Sequence, residues 1–247
     1  MHGPVLRSPP MNREYHKWYS PSLGREMELL LFGTGGRPVI AFPTSMGRFY
    51  QNEDFSLVGT LAHCIEQGAV HVVCVDSVDG ESWYNRSIPV WDRAQRHKQY
   101  EQYLIEEVIP FFRERNPLVD SDLNMTGASF GAYHSVNFAF RHPDLVKRIL
   151  AMSGSFSLNN LVSSDYTDDV YFNSPADFVQ NLHDDWYLSR MRRQDIILAV
   201  GSEDICVNAN RQLSEALWAK QVPNTLDIWD GAWHDWPWWK LMALKFF

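Results

Sequence analysis

Cysteine is scarce in this 247-residue sequence, which contains only Cys64, Cys74 and Cys206. An odd number without a C-x-x-C spacing predicts neither a disulfide framework nor a zinc ribbon. Cys74 lies in a strand-like run and is expected to be a small buried apolar residue. H-E-x-x-H and a phosphate-binding glycine motif after a strand are also missing. We therefore expect no metal and no cofactor.

Positive charge is in deficit, with 22 Lys and Arg against 30 Asp and Glu and a formal net charge of -8. Nucleic acids and anionic membranes require basic surfaces, so neither is expected as a partner. The first residues lack the apolar core of a signal peptide, and no stretch reaches the roughly 18 apolar residues of a membrane span. We expect a soluble, cytoplasmic protein, and leave open whether it is a homo-oligomer.

Apolar residues are abundant, at 45% of the sequence, and support one domain over residues 1–247. Short aliphatic runs bounded by Gly, Pro or Asp predict buried parallel strands. These runs are Arg37–Phe42, Val70–Val75, Arg148–Ser153 and Asp195–Val200, with weaker members at Asp122–Gly127 and Thr225–Asp230.

Helical spacing of apolar residues appears between these runs, at Asp54–Gln67, Asp92–Arg115, Phe130–Arg141 and Ala209–Lys220. Pro110 is expected to kink or divide the second of them. Alternating strands and helices predict an α/β fold, with a mostly parallel central sheet covered by helices on both faces. Residues 13–20 and 25–32 predict an N-terminal antiparallel hairpin, and residues 159–193 a small cap or excursion.

A short motif, Gly127-Ala-Ser129-Phe-Gly131, matches the nucleophile elbow G-x-S-x-G. It follows a strand-like segment and opens a helix, so the hydroxyl of Ser129 is expected to project above the sheet. Flanking glycines allow strand and helix to approach closely. A helix N-cap serine is the plainer interpretation of the same residues.

A serine nucleophile requires a base, usually a histidine oriented by a carboxylate. In α/β-hydrolases the chain order is serine, acid, histidine. Asp204 and His234 follow predicted strands in that order. Glu203 is the alternative acid and His183 the alternative base, while Asp235 is too close in sequence to face His234. The remaining candidates, in helix- or strand-like stretches, are interpreted as structural: His16, His63, His97, His134 and His142.

Two backbone donors are needed to stabilise the oxyanion. One is expected from Phe130, and the other from the loop that follows Arg37–Phe42, with Ser45 preferred and Met46 next. Aromatic and basic residues at the same sheet edge are candidates for substrate binding, although core packing would explain the rings equally well. They are Arg48, Phe49, Trp83, Tyr84, Trp233 and Trp236. Arg48 is expected to hold a carboxylate or, preferably, to pair with Glu53.

Five segments together resemble the putative esterase family of α/β-hydrolases, which includes esterase D-like enzymes, feruloyl esterases and mycolyltransferases. They are "FPTSMGRFY", "VDSVDGESWYN", "GASFGAYHSVNFAFRHPDL", "GSEDICVNANRQLSEAL" and "WHDWPWW". The resemblance implies the α/β-hydrolase fold, with Ser129 as nucleophile, Asp204 as acid and His234 as base. Many relatives carry His-Gly or Asp-Gly where this chain has Pro43-Thr44, a departure at the oxyanion loop.

These features favour a serine esterase that cleaves small-molecule carboxylic esters through an acyl-enzyme. Two alternatives remain open from the sequence. One is acyl transfer with the same residues, in which an alcohol replaces water. The other is a non-catalytic binding module on the hydrolase fold.

Overall fold

The computed structural model describes residues 11–116, 118, 123–162 and 166–247, and within them the strands form one sheet. The sheet is made of Arg13–Ser20 (β1), Arg25–Phe32 (β2), Arg37–Phe42 (β3), Val70–Val75 (β4), Asn124–Ala128 (β5), Arg148–Met152 (β6), Asp195–Gly201 (β7) and Thr225–Trp229 (β8). Its order is β1-β2-β4-β3-β5-β6-β7-β8. Pairing is antiparallel from β1 to β4 and parallel from β4 to β8.

This sheet confirms the predicted fold. The N-terminal hairpin has the predicted bounds, with Arg13 opposite Phe32 and Ser20 opposite Arg25. The two weaker strand candidates are both strands, β5 and β8, and Asp122 lies outside the described residues. All parallel strands therefore end at one edge, where an open α/β sheet binds its ligands.

Helices lie between the strands along the chain. They are Gln51–Asp54 (α1), Leu57–Thr60 (α2), Ala62–Glu66 (α3), Val90–Tyr103 (α4), Ile109–Arg115 (α5), Phe130–Arg141 (α6), Asn159–Val162 (α7), Asp168–Tyr171 (α8), Pro175–Phe178 (α9), Asp185–Met191 (α10), Val207–Ala219 (α11) and Trp236–Phe246 (α12). In the described part of the chain, none of them combines the length and apolarity needed to cross a bilayer.

Two of the predicted helices are interrupted in the structure. The continuous helix expected over residues 54–67 was wrong, because Ser56 adopts a left-handed φ of 61° and the segment breaks into α1, α2 and α3. The division near Pro110 is confirmed. A π-helical turn at Leu104–Val108 separates α4 from α5, since Pro110 has no N–H and its ring crowds the preceding turn.

Side chains alternate between two hydrophobic cores, one on each face of the sheet. On β2, Leu29 and Leu31 pack into one core and Leu30 and Phe32 into the other. This alternation follows from the two-residue repeat of a strand. Both faces of the sheet are therefore covered, and only its edge remains for a site.

The segment 159–193 was expected to be a small cap or an excursion. Its described residues, 159–162 and 166–193, contain the short helices α7 to α10 and a 3-10 turn at Val179–Asn181. Val179, Leu188 and Met191 are buried in the same core as the sheet residues Leu29 and Ile40. The segment thus packs against one face of the sheet.

Candidate active site

Ser129 lies at the turn between β5 and α6, with φ 56° and ψ -119°. This left-handed conformation is unfavourable for a residue with a Cβ. It is held in place by the Ser129 N–H, which donates to the carbonyl oxygen of Met152 at 2.9 Å. The hydroxyl therefore stands at the carboxyl edge of the sheet, as a nucleophile elbow requires.

Close backbone approach explains both glycines of the motif. A Cβ at Gly127 would lie 2.4 Å from the carbonyl carbon of Gly131, and a Cβ at Gly131 would lie 2.4 Å from the carbonyl oxygen of Pro43. Both distances are shorter than any normal contact. The first glycine lets α6 fold back onto β5, and the second lets α6 approach the loop after β3.

A continuous hydrogen-bond chain joins Ser129 to a buried carboxylate. The Nε2 atom of His234 lies 3.0 Å from the Oγ atom of Ser129, and its Nδ1 atom lies 2.9 Å from Oδ1 of Asp204. A carboxylate only accepts, so Nδ1 carries the proton and Nε2 has its lone pair toward the serine hydroxyl. This arrangement can remove the serine proton as the oxygen attacks.

Asp204 is buried, yet it remains in the charged form. Burial raises its pKa, but hydrogen bonds from His234 and the Cys206 N–H, together with the nearby Ser153 hydroxyl, outweigh burial, so its pKa is lowered overall. Ser153 is fixed in turn by the indole N–H of Trp239, which donates to its Oγ at 2.9 Å. The charged carboxylate can therefore stabilise an imidazolium at His234.

Two loops bring the acid and the histidine together. The N–H of Glu203 donates to the carbonyl oxygen of Ala232 at 3.0 Å, which joins the loop after β7 to the loop after β8. A Cβ at Gly201 would lie only 2.0 Å from that same oxygen. The tight packing of these loops places Asp204 and His234 side by side, although 30 residues separate them.

The alternative acids and base lie elsewhere. Glu203 is exposed to solvent. Asp235 caps α12, where its side chain accepts from the N–H of Trp236. His183 lines a separate cavity of about 330 Å³ together with Arg141 and Tyr187.

Backbone donors near Ser129 can be identified by elimination along the loop after β3. The N–H of Thr44 donates to Gln51, that of Met46 to Asp79, and that of Gly47 to the Thr44 carbonyl. The Ser45 N–H is left without an acceptor among the described residues. Phe130 begins α6, so its N–H also has no intrahelical acceptor. The geometry thus favours Ser45 and Phe130 over Met46.

The candidate binding residue Arg48 is neutralised within the protein. Its guanidinium donates to Asp76 at 2.8 Å and to Glu28 at 2.7 Å. The predicted pair with Glu53 was wrong, because Glu53 pairs with Arg13 instead. Arg48 is therefore occupied in fixing the loop and is not available to a substrate carboxylate.

Two of the aromatic candidates belong to the core. Trp83 has 0% of its surface exposed, and Phe49 packs with the buried residues under the loop. Trp83 was expected to bind substrate, which its full burial excludes. In an irregular loop, successive side chains do not alternate between buried and exposed positions as they do in a strand. The sequence therefore did not show which ring faces inward.

The other aromatic candidates remain near solvent. The Tyr84 hydroxyl donates to the Ser45 Oγ at 2.8 Å, and its ring meets that of Phe130 edge-on at 5.0 Å. Trp233, beside His234, is 51% exposed, while Trp236 stacks on Phe55 at 4.5 Å. Tyr84 thus contacts both residues whose backbone N–H groups are free.

In the part of the chain that the structure describes, one set of side chains could hold a metal ion. Donor atoms of Asp204, Cys206 and His234 all lie within 4.8 Å of one another. Asp204 and His234 are already hydrogen-bonded to each other, and burial raises the pKa of the Cys206 thiol to about 12. A metal here would have to displace the thiol proton and compete with the hydrogen-bond chain.

Comparison with known proteins is consistent with this geometry. Residues 20–243 match the model of the family described as "Putative esterase". The chain belongs to this esterase family. Carboxylic ester hydrolysis, expected from the sequence, is thereby confirmed as its class of reaction. No curated protein sequence gives a significant match.

Three solved structures illustrate the similarity of fold. A ferulic acid esterase is 17% identical, with a TM-score of 0.79 and 96% of each chain covered. An S-formylglutathione hydrolase from Staphylococcus aureus is 15% identical, with a TM-score of 0.72 over 98% of this chain and 97% of the other. A ferulic acid esterase from Anaeromyces mucronatus is 14% identical, with a TM-score of 0.70 over 99% and 91%. At these identities the similarity shows the α/β-hydrolase fold.

Several residues at the site were not found from the sequence. Asp79 accepts from the Met46 N–H, His134 contacts Asp79, and Ser153 lies near Asp204 and accepts from Trp239. Each is a polar residue at or just beyond the carboxyl end of a strand or in the helix after Ser129. That position was the available signal, but their partners lie far away along the chain.

Proposed function

We propose that this esterase works through an acyl-enzyme on Ser129, with His234 as general base and acid and Asp204 as its orienting carboxylate. The unbroken hydrogen-bond chain from Ser129 to Asp204 is the single observation that carries the proposal. It supplies nucleophile, base and orienting group in one line.

The first half-reaction transfers the acyl group. Ser129 Oγ attacks the ester carbonyl carbon while its proton moves to His234 Nε2, and the carbonyl electron pair moves onto oxygen. The N–H groups of Phe130 and Ser45 stabilise that oxyanion. Collapse of the intermediate breaks the ester C–O bond, and His234 returns the proton to the departing alcohol.

The second half-reaction releases the acid. Water attacks the acyl-enzyme carbonyl as His234 takes one of its protons, and the new oxyanion occupies the same two donors. Collapse breaks the bond to Ser129 Oγ, which regains a proton from His234. Asp204 stays ionised throughout, in agreement with its lowered pKa.

Apolar side chains border the site and favour an ester with an apolar or aromatic group. Met46, Ile205 and Trp233 are 55%, 85% and 51% exposed, and each is the chain neighbour of a proposed site residue. Two similar structures are ferulic acid esterases, and an aromatic acid would suit Trp233 and Tyr84. We place the enzyme in the cytoplasm because the sequence has no disulfide framework.

The test is replacement of the nucleophile. Ser129→Ala is expected to reduce cleavage of nitrophenyl acetate by at least about 10⁴-fold, because attack by the hydroxyl is lost. Its melting temperature should stay within a few degrees of the wild type, since the side chain is half-buried at the edge. Ser157→Ala, which changes a serine in the loop after β6, is the matched control and should keep full activity.

Substrate class is tested with a panel of methyl ferulate, nitrophenyl acetate and S-formylglutathione. In Trp233→Ala we expect kcat/KM to fall more for methyl ferulate, whose acyl group is aromatic, than for nitrophenyl acetate, whose acyl group is small. Equal losses for all three substrates would contradict an aromatic subsite at Trp233. Retained activity in Ser129→Ala would contradict the whole mechanism.

A further inference from the structure

A second aspartate–histidine pair lies on the other side of Ser129. His134 Nε2 is 2.8 Å from Asp79 Oδ1, and the two side chains are 3% and 0% exposed. Asp79 begins the 3-10 turn Asp79–Glu81 after β4, and His134 lies on α6, five residues after the nucleophile. The pair takes no part in the proton transfers described above.

Asp79 uses its other oxygen on the loop that supplies an oxyanion donor. The N–H of Met46 donates to Asp79 Oδ2 at 3.0 Å. Met46 has φ 58°, a left-handed conformation that a side chain disfavours. The hydrogen bond fixes the peptide between Ser45 and Met46, and so fixes the direction of the adjacent peptide whose N–H is free.

His134 contacts the second donor residue. Its ring meets the ring of Phe130 edge-on, with centroids 4.9 Å apart. One buried pair thus joins the loop carrying Ser45 to the start of the helix carrying Phe130. A shift of the Ser45 loop relative to the start of α6 would therefore strain the bond between Asp79 and His134.

The same loop is held at two further points. Ser77 donates its hydroxyl to the Gly47 carbonyl at 2.7 Å, and Asp76 accepts from the Phe49 N–H at 3.2 Å. These bonds fix the loop beyond Met46. The Thr44–Ser45 peptide is held within the loop, because its carbonyl accepts from the Gly47 N–H at 2.9 Å. Among the described side chains, Asp79 is the one that accepts from the N–H of the Ser45–Met46 peptide, which separates its effect from a general loosening of the loop.

We infer that Asp79, held by His134, is a positioning residue that orients the Ser45 N–H toward the oxyanion. This inference rests on the proposed function of Ser129 and the two backbone donors. Oxyanion stabilisation depends on donors that are already in place when charge develops. Loss of Asp79 should therefore weaken binding of the transition state and leave binding of the substrate nearly unchanged.

The test compares Asp79→Ala with Ser77→Ala. For nitrophenyl acetate, Asp79→Ala should reduce kcat roughly 10- to 100-fold, somewhat less than removal of a donor, with KM within about threefold. Its affinity for a trifluoromethyl ketone, whose adduct carries an oxyanion, should fall by a similar factor. Ser77→Ala removes the hydroxyl that donates to the Gly47 carbonyl, one residue after Met46. It should change kcat and ketone affinity less than about threefold.

Conservative replacement provides a rescue. The amide of Asp79→Asn can still accept from the Met46 N–H and donate to His134, so its kcat should return to within about fivefold of the wild type. Asp79→Leu, which fills the space without an acceptor, replaces Asp79→Ala if the alanine variant does not fold. It should show the same loss of kcat and of ketone affinity.

Unchanged kcat and ketone affinity in a folded Asp79→Ala or Asp79→Leu would overturn the inference. So would equal losses in Ser77→Ala, or a loss confined to KM. Ser129→Ala is measured in parallel. If it is inactive while the Asp79 variants match the wild type, the inference alone fails; if it remains active, the proposed function fails as well.

Discussion

Two aspartate–histidine pairs flank Ser129, with nearly equal hydrogen bonds and different surroundings. The bond is 2.9 Å between Asp204 and His234 and 2.8 Å between Asp79 and His134. The side chain of His234 is 21% exposed, whereas that of His134 is 3% exposed. Proton transfer requires contact with the reacting oxygen, so access rather than the pair's geometry separates a base from a structural support.

The largest contrast is expected between the two histidines. His234→Gln should reduce kcat/KM by about 10³- to 10⁴-fold with little change in stability, because the base is lost at the edge of the fold. His134→Gln should reduce kcat/KM less than about 100-fold but lower the free energy of unfolding by about 2–4 kcal/mol, since Asp79 loses its buried partner.

Labelling of Ser129 by a fluorophosphonate and urea unfolding measure these two effects separately. Rapid labelling in His234→Gln would show that another residue is the base. A His134 variant with wild-type stability and a 10³-fold loss of activity would reverse the roles given to the two pairs.

Substitutions at two glycines test the two sides of the site separately, and their effects are expected to be smaller. In Gly131→Ala the new Cβ meets the Pro43 oxygen at the start of the oxyanion loop, and in Gly201→Ala it meets the Ala232 oxygen beside His234. Each should cost about 2–4 kcal/mol of unfolding free energy. Gly35→Ala is the matched control, since nothing lies within 4 Å of a Cβ there.

Kinetics should tell the two glycine variants apart. Gly131→Ala should lose affinity for the trifluoromethyl ketone, and Gly201→Ala should label more slowly with the fluorophosphonate. Identical profiles would mean that the two sides of the site move together.

The smallest effect on activity is expected at a third pair, away from the serine. Glu101 lies 2.6 Å from His142 and also binds Arg141. Burial raises its pKa, but the hydrogen bond to His142 and the charge of Arg141 lower it to about 2. Because the folded pKa is below the ordinary value, this stability is present above about pH 4.5 and is lost as the pH falls toward 2.

Glu101→Gln should therefore lower the unfolding free energy by about 2–3 kcal/mol at pH 7, leave kcat unchanged, and differ little from the wild type near pH 2. Urea unfolding at several pH values measures this, with the exposed Glu203→Gln as control. A constant difference at all pH values would exclude ionisation of Glu101 as the cause.

Much of the fold could be predicted because it depends on local pattern. The short aliphatic runs gave the strands, and Ser129, Asp204 and His234 follow three of them in the expected order. The same reasoning placed Phe130 and Ser45 near the nucleophile. These features need only periodicity, chain order and the rule that parallel strands end at one edge.

What the sequence did not show depends on distant contacts. Asp79 and His134 are 55 residues apart, and nothing in either neighbourhood indicates the other. His134 was interpreted as structural from its helical setting, without a partner. Arg48 was assigned to Glu53, which is near in sequence, while its actual partners are Glu28 on β2 and Asp76 directly after the neighbouring strand β4.

Three exposed apolar side chains are chain neighbours of residues proposed to act in the reaction. They are Met46 beside Ser45, Ile205 beside Asp204 and Trp233 beside His234. The residues proposed to act in the reaction and the side chains proposed to meet the rest of the substrate therefore occupy adjacent positions on these three loops. Exchange of these three outward side chains could diversify the range of esters accepted while the machinery beneath stays as it is. Variation at positions 46, 205 and 233 would then change substrate preference separately from the rate of the chemical step.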